Sequence, residues 1–422
     1  MLTRIQARNY RCLKQVDQSL TGFEVFVGGN GVGKSTFLDV VCLLGEIVRQ
    51  PRNGLISAIS VRSANFEDLL FDSSIGFFEL AVEAKIPESI ANATKKFGPD
   101  SVVRYQIRIG FTDIERTKIG ILEEHVLLVK AASILTKQPT FEESILLAIK
   151  FSATYQSDQS FAVVSRSKDV ALFQDEDLIA PGTEKQYTFN LGANNSALAN
   201  LPEDPLGFPV ATWFRRFLSE GCLHLRLAPE KLRQPVSAIS SNGEHGDELN
   251  LPLVVNDLLN SSNDQFEDWI NHLRIALPDL KTIRVTERPE DRRRYLVVEY
   301  TDGRKVPSWL LSDGTLRLIG LTLPAYALDN GTIFLIEEPE NCIHPLAIEI
   351  VMQSLSSMYE SQVLVTTHSP AILSLTAPNK ILCFSKTPED GTLIVRGDKH
   401  PRLSAWKGSV DPGMLLASGI LG

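Results

Sequence analysis

Residues 28–35 read Gly-Gly-Asn-Gly-Val-Gly-Lys-Ser, a glycine run that closes on a lysine and a hydroxyl. In that spacing the glycines let backbone N–H groups turn inward around a β-phosphate. Lys34 then reaches the β- and γ-phosphates, Ser35 ligates Mg2+, and a helix starting there adds the positive end of its dipole. The chemistry is that of binding a nucleotide through its phosphates, with Asn30, Gly31, Val32, Gly33, Lys34, Ser35 and Thr36 as the expected contacts. A dinucleotide-binding turn lacks the lysine–hydroxyl ending.

Two carboxylates follow an apolar run in GTIFLIEEPE, residues 331–340. At the carboxyl end of a buried strand, one of Glu337 and Glu338 can hold the Mg2+ shell while the other orients and deprotonates an attacking water. The competing reading is an acidic first turn of a helix. QVLVTTHSP (362–370) repeats the design and ends on Thr366, Thr367, His368 and Ser369. There His368 either contacts a γ-phosphate and its water or caps a turn ahead of Pro370. In LSDGTLRLIGL (311–321), Ser312, Asp313 and Gly314 open a helix. Small residues and open N–H groups suit an anion there, and Asp313 equally suits a helix cap.

Such groups need a sheet to hold them. Short extended stretches around Ile5–Ala7 and Val16 lead to FEVFV (23–27), apolar as in a strand buried on both faces, and a helix is expected over 34–48. Alternation predicts strands at 77–87, 102–111 and 118–129, arranged as an antiparallel meander. Weaker extended signals lie at 145–151 and 160–165. The Pro-, Gly- and Asn-rich stretch 176–209 reads as loop or linker. Helical periodicity returns at 210–220 and at 264–277 behind an Asn263/Asp264 start. Residues 240–249 read as an exposed turn, and strands at 281–286 and 294–300 flank the charged turn ERPEDRR. The last third alternates helix 313–328, strand 332–336, helix 345–359, strand 362–366, helix 370–375 and strand 380–384.

The order of phosphate loop, LSDGT, Glu-Glu-Pro-Glu and Thr-His-Ser-Pro resembles the ATP-binding-cassette-type ATPase heads of the SMC, RecF and OLD class. Asn30 and the opening RIQARNYRCL are also similar to that class. LIEEPENCIHP and residues 306–384 look most like stand-alone AAA-family ATPases related to OLD proteins, often encoded beside nucleases in phage-defence systems such as Septu, Gabija and PARIS. The resemblance is clear over about 1–50 and 305–385, and weaker at 77–129 and 247–259. It implies an α/β P-loop NTPase fold: an ABC-ATPase-like head with a mixed or parallel core sheet, an antiparallel β lobe and an inserted α/β lobe. It makes Glu337 the metal ligand beside Ser35, Glu338 the general base and His368 a switch residue. Ser312 and Gly314 become a lid on the nucleotide of an opposite copy, which requires a head-to-tail dimer or higher homo-oligomer. LSDGT stands where the class has LSGGQ, and Glu337 where it has Asp. Gln50 is the nearest candidate for a glutamine ligand, Arg11 lies where the adenine is expected, and Tyr10 reads as core.

Long coiled coils split SMC heads, yet no heptads run through the 304 positions between Lys34 and Glu338. The expected organisation is a first head part at 1–130, an inserted lobe at 131–300, and a second head part with tail at 301–422. The chain has 422 residues, 42 basic and 51 acidic, for a formal charge of −9. That balance excludes a protein coating nucleic acid by bulk charge. Residues 209–305 hold 14 Lys/Arg and 15 Asp/Glu, so DNA contact is confined to local patches at Arg215-Arg216, Arg226/Lys231/Arg233 and Arg292-Arg293-Arg294. No apolar stretch is long enough to cross a bilayer, and the charged start does not read as a signal peptide. Five scattered cysteines without a C-x-x-C pair point to a reducing cytoplasm. No nuclease motif appears. The apolar ending SVDPGMLLASGILG reads as packing on its own sheet or as an interface. The expected function is an ATP-hydrolysing switch acting on a separate nuclease or toxin effector in bacterial anti-phage defence. A RecF-like repair ATPase binding DNA directly and a non-hydrolysing ATP-bound scaffold are the alternatives.

Overall fold

The computed structural model describes residues 1–91, 101–129, 160–176, 185–237, 249–327 and 331–400. Residues 145–151, nearly all of the 240–249 turn and the apolar ending lie outside the described residues.

In chain order the strands are β1 (Leu2–Tyr10), β2 (Leu13–Ser19), β3 (Phe23–Val27), β4 (Phe77–Lys85), β5 (Val102–Phe111), β6 (Ile119–Val129), β7 (Ser160–Ser167), β8 (Val170–Gln174) and β9 (Gln186–Asn190). After them come β10 (Cys222–Leu225), β11 (Leu280–Glu287), β12 (Arg294–Tyr300), β13 (Lys305–Pro307), β14 (Ile333–Glu337), β15 (Gln362–Thr367), β16 (Ile381–Thr387) and β17 (Gly391–Arg396). The helices are α1 (Lys34–Arg49), α2 (Gly54–Ser60), α3 (Glu88–Ala91), α4 (Pro209–Ser219), α5 (Pro229–Leu232), α6 (Leu251–Ser261), α7 (Asn263–Ala276), α8 (Asp313–Thr322), α9 (Pro324–Ala327), α10 (Pro345–Ser356) and α11 (Pro370–Ser374).

The chain divides into two compact units: Met1–Thr21, Asn30–Cys222 and Ser385–Ile394, and Gly22–Gly29, Leu223–Phe384 and Val395–Gly422. The first is built on the antiparallel sheet β2-β1-β4-β5-β6-β7-β8-β9. The meander expected from 77–129 is its centre. Alternating charged residues on these strands meet across the ladder rather than pointing singly into water. Arg104 bonds Glu83 at 2.6 Å, and Arg108 bridges Glu79 at 2.7 Å and Glu123 at 2.9 Å. Cross-strand pairs of this kind satisfy carboxylates that burial would otherwise penalise. Burial pushes the Glu79 carboxyl upward against the pull of Arg108.

Residues 185–209, the described part of the 176–209 stretch, are more ordered than their composition suggests. They contribute edge strand β9 and a short 3-10 turn at Leu198–Asn200. Two buried glutamates explain the order. Glu124 accepts from Ser196 Oγ at 2.6 Å and from the Ala197 and Leu198 N–H groups, satisfying the start of the turn. Glu176 accepts from the Val210 and Ala211 N–H groups, both at 2.8 Å, and so caps α4 from a distance.

The second unit carries strands in the order β10-β14-β15-β3-β16, of which β14, β15, β3 and β16 are registered in parallel. Its core joins Val25, Val27, Phe334, Ile336, Val363 and Val365 to the apolar faces of α6, α7, α8 and α10. Trp269 is wholly buried and donates its indole N–H to Thr322 Oγ1 at 3.0 Å. A small antiparallel sheet, β11-β12-β13, completes the unit. Two local expectations change, and one helix is added. The helix expected over 313–328 breaks before Pro324, which lacks the N–H a continuing helix needs. The cap of α7 is Ser262, whose side chain accepts from the Gln265 N–H, so Asn263 and Asp264 lie inside the helix. Residues 251–261 form a helix, α6.

Candidate functional site

The phosphate loop leaves β3 at Val27 and enters α1 at Lys34. Gly33 caps α1 in the left-handed region, with φ at 108°. No side chain caps α1, and its first turn has no acidic residue. The positive dipole end of α1 thus carries no acidic side chain of its own first turn, which suits a phosphate. A Cβ at Gly33 would lie 2.4 Å from Thr392 Oγ1 and 2.9 Å from Cys12 Sγ. Thr392 in turn donates to the Val32 carbonyl at 2.8 Å. Lys34 is buried, Val32 and Thr36 are half-buried, and Asn30, Gly31 and Ser35 are exposed.

Behind this loop Tyr10 is fully buried and donates its hydroxyl to Asp39 at 2.5 Å. Burial, with the Asp39 charge beside it, holds that hydroxyl protonated. Tyr10 is core, as expected. Arg62 clamps Asp39 and Glu46 at 2.6 and 2.5 Å, and Arg11 stands 3.7 Å from Asp39. Gln50 is exposed at the C-cap of α1.

In the second unit, register fixes the geometry. Glu337 on β14 lies opposite Thr366 on β15, and Thr367 opposite Val27 on β3. The carboxyl ends of the three strands thus form one row, the place where open parallel sheets bind ligands. Gly28 and Gly29 depart from that row. Glu338 follows β14 with φ at 48°, and its N–H donates to the Thr366 carbonyl at 2.9 Å. A non-glycine residue held there carries backbone strain, commonly found at functional sites. Its carboxylate accepts from Asn341 Nδ2 at 2.6 Å and lies 3.7 Å from His368 Nε2. Glu340 pins the histidine's backbone: one carboxylate oxygen accepts from Thr367 Oγ1 at 2.6 Å and from the His368 N–H at 2.9 Å.

His224 on β10 is a neighbour that sequence reasoning passed over. It is buried, and its Nε2 stands 3.0 Å from Glu337 Oε1. The contact is one of charge and dipole rather than an aligned hydrogen bond, because neither ring nitrogen has a hydrogen-bond partner. A lone histidine in the alternating run CLHL carried no signal of that role.

At the LSDGT segment the helix cap is Ser312, not Asp313. Ser312 has extended backbone angles, and its Oγ accepts from the Thr315 N–H at 3.2 Å. Asp313 is the first helical residue and pairs with Arg233. Gly314 sits against the loop that follows Glu338: a Cβ there would lie 2.6 Å from the Cys342 carbonyl oxygen. The structure thus gathers Glu337, Glu338 and His368 at one edge of the second unit, with Gly314 against the adjoining loop. Asn30 to Thr36 group with the first unit.

The donor chemistry fits nucleotide and Mg2+. Lys34 and Ser35 open α1 directly after the glycine loop, and hydroxyl and carboxylate oxygens are the hard donors that Mg2+ takes. Among the described residues no three or more His, Cys, Asp or Glu side chains gather as a metal cage. Mg2+ bound mainly through phosphates and water needs none.

A phosphate loop leaving a parallel sheet beside an acidic strand end defines a P-loop NTPase, here with an ABC-type ATPase head. The chain belongs to the family described as "AAA domain, putative AbiEii toxin, Type IV TA system", whose model matches residues 23–374. Among solved structures, the Smc head bound to the C-winged helix domain of ScpA is similar over 93% of this chain and 97% of that one, with a TM-score of 0.52 and 13% identity. The SMC head domain from Thermotoga maritima aligns over 94% and 98% at 10% identity, with a TM-score of 0.37. The Pyrococcus furiosus Smc head bound to the C-terminal domain of ScpA aligns over 93% and 95% at 12% identity, with a TM-score of 0.46. At such identity the first of these likenesses is one of fold. No curated protein matches the chain. Among the described residues no helix is long and apolar enough to cross a membrane.

Proposed function

We propose that the protein is an ATP-hydrolysing switch that closes as a head-to-tail pair and passes its nucleotide state to a separate nuclease or toxin effector. The observation that carries this reading is the row of strand ends, which sets Glu337, Glu338 and His368 at the edge from which the phosphate loop departs. Lys34 and the N–H groups of residues 30–36 bind the phosphates, and Ser35 with Glu337 would hold Mg2+. When bound, Mg2+ neutralises charge developing on the transferred phosphoryl oxygens. Glu338 orients the attacking water and takes its proton, and His368 positions the same water and the γ-phosphate. Ser312 and Gly314 contact the nucleotide of the second copy.

The family's description as a putative toxin supports an effector-coupled role in bacterial defence over DNA repair. Two arginines of the 292–294 patch support the same order of preference: Arg293 and Arg294 each have a carboxylate at 3.7 Å. Phosphate release decides the mechanism. Lys34→Ala and Glu338→Gln should each lower turnover by about a hundredfold or more, and wild-type rates in either would sink it.

A further inference from the structure

The LSDGT segment presents a difficulty that the structure resolves. If Ser312 and Gly314 meet the triphosphate of a second copy, Asp313 between them brings a carboxylate toward an anion. Its side chain is 47% exposed, so it lies open to whatever approaches the start of α8. Like charges brought together during association oppose it.

Arg233 answers the charge. It follows α5, and its guanidinium bonds the Asp313 carboxylate while Nη2 also donates to the Leu311 carbonyl at 3.0 Å. The anchoring runs both ways, since the Ser308 hydroxyl donates to the Arg233 carbonyl at 3.2 Å. Arg233 is itself held: its N–H donates to the Pro229 carbonyl at 3.1 Å. The preceding Leu227 packs against α8, within 2.9 Å of where a Cβ on Gly320 would stand. A two-point clamp of this kind fixes both the charge and the orientation of the segment it grips.

We propose that Arg233 is a positioning residue that neutralises Asp313 and fixes residues 308–313, so that the start of α8 can accept the triphosphate of a second copy. The proposal rests on the head-to-tail reading above. It assigns Arg233, one of the residues expected to contribute to a DNA-binding patch, to a contact inside its own unit.

The test uses the full chain carrying Glu338→Gln, which retains ATP, and reads ATP-driven dimerisation by mass photometry beside nucleotide affinity by fluorescence. Arg233→Ala should weaken the ATP-dependent dimer about tenfold or more with nucleotide affinity unchanged. Removing the offending charge should rescue it: Arg233→Ala with Asp313→Ala should return to within about threefold of the parent. Arg233→Lys, which keeps the charge, should also stay within about threefold and guards against a folding defect in the alanine variant. A double variant as impaired as Arg233→Ala alone would overturn the proposal, as would an unimpaired Arg233→Ala. Failure of the parent to dimerise with ATP would instead overturn the head-to-tail reading, and this inference with it.

Discussion

Gly33→Ala is the most informative single change in the phosphate loop. The native φ of 108° lies beyond the narrow left-handed well open to L-residues, so alanine carries about 1–3 kcal/mol of strain. The added methyl would also stand 2.4 Å from Thr392 Oγ1 and 2.9 Å from Cys12 Sγ. Turning Thr392 away breaks its hydrogen bond to Val32, about 1 kcal/mol, and overpacking adds about 1–3 kcal/mol. Together these reach roughly 3–7 kcal/mol, a large share of a typical domain's stability. Gly31→Ala is the internal control. Its φ is 73° and a Cβ there meets nothing within 4 Å, so the cost is about 1–2 kcal/mol of backbone strain alone. Urea unfolding of both variants, paired with ATP titration, gives the comparison. The reasoning is refuted if Gly33→Ala is no more destabilised than Gly31→Ala.

Two further outcomes are expected. Burial, with Arg108 nearby, pushes the His125 imidazole down to about 4, so the folded chain keeps it neutral while the unfolded chain protonates it below about 6.5. Stability should therefore fall as pH drops from 6.5 to 4, by up to about 3 kcal/mol from this group. His125→Phe should flatten that part of the urea-unfolding profile, and an unchanged slope would refute the assignment. Glu340→Ala removes the acceptor that pins Thr367 and His368. Turnover should drop between about tenfold and a hundredfold with ATP affinity retained, and Glu340→Gln should keep most of the rate. Equal rates in the wild type and the alanine variant would show that the histidine needs no such anchor.

Strands β3, β14, β15 and β16 and helix α1 were readable because each is a continuous apolar run or a clear helical stripe bounded by glycine or proline. The positions of the candidate residues were readable too, since Glu337 ends such a strand and Glu338 and His368 follow one directly. What escaped was set by contacts distant in sequence. Helix α6 begins LPLVV, apolar all round, and its periodicity is hidden because several of its faces are buried. Strand β9 lies among turn-forming residues and is recruited by pairing with β8. The caps supplied by Glu124 and Glu176 come from residues 73 and 34 positions away, beyond any local capping rule. Asp313 looked like a cap because its type suits one, but Ser312 already fills that position.

Strand β3 also bears on how the protein is made. It ends at Val27, yet the strands on either side of it are β15, which begins at Gln362, and β16, which begins at Ile381. The sheet of the first unit grows largely by pairing strands close in sequence, so much of it can assemble as it leaves the ribosome. At roughly 5–20 residues per second, β3 waits about 17 to 67 seconds for its first neighbour to be synthesised. Throughout that interval its Phe, Val, Phe and Val side chains lack the sheet that will bury them. The strand preceding the phosphate loop, the first strand of its unit to be synthesised, is thus among the last to be seated.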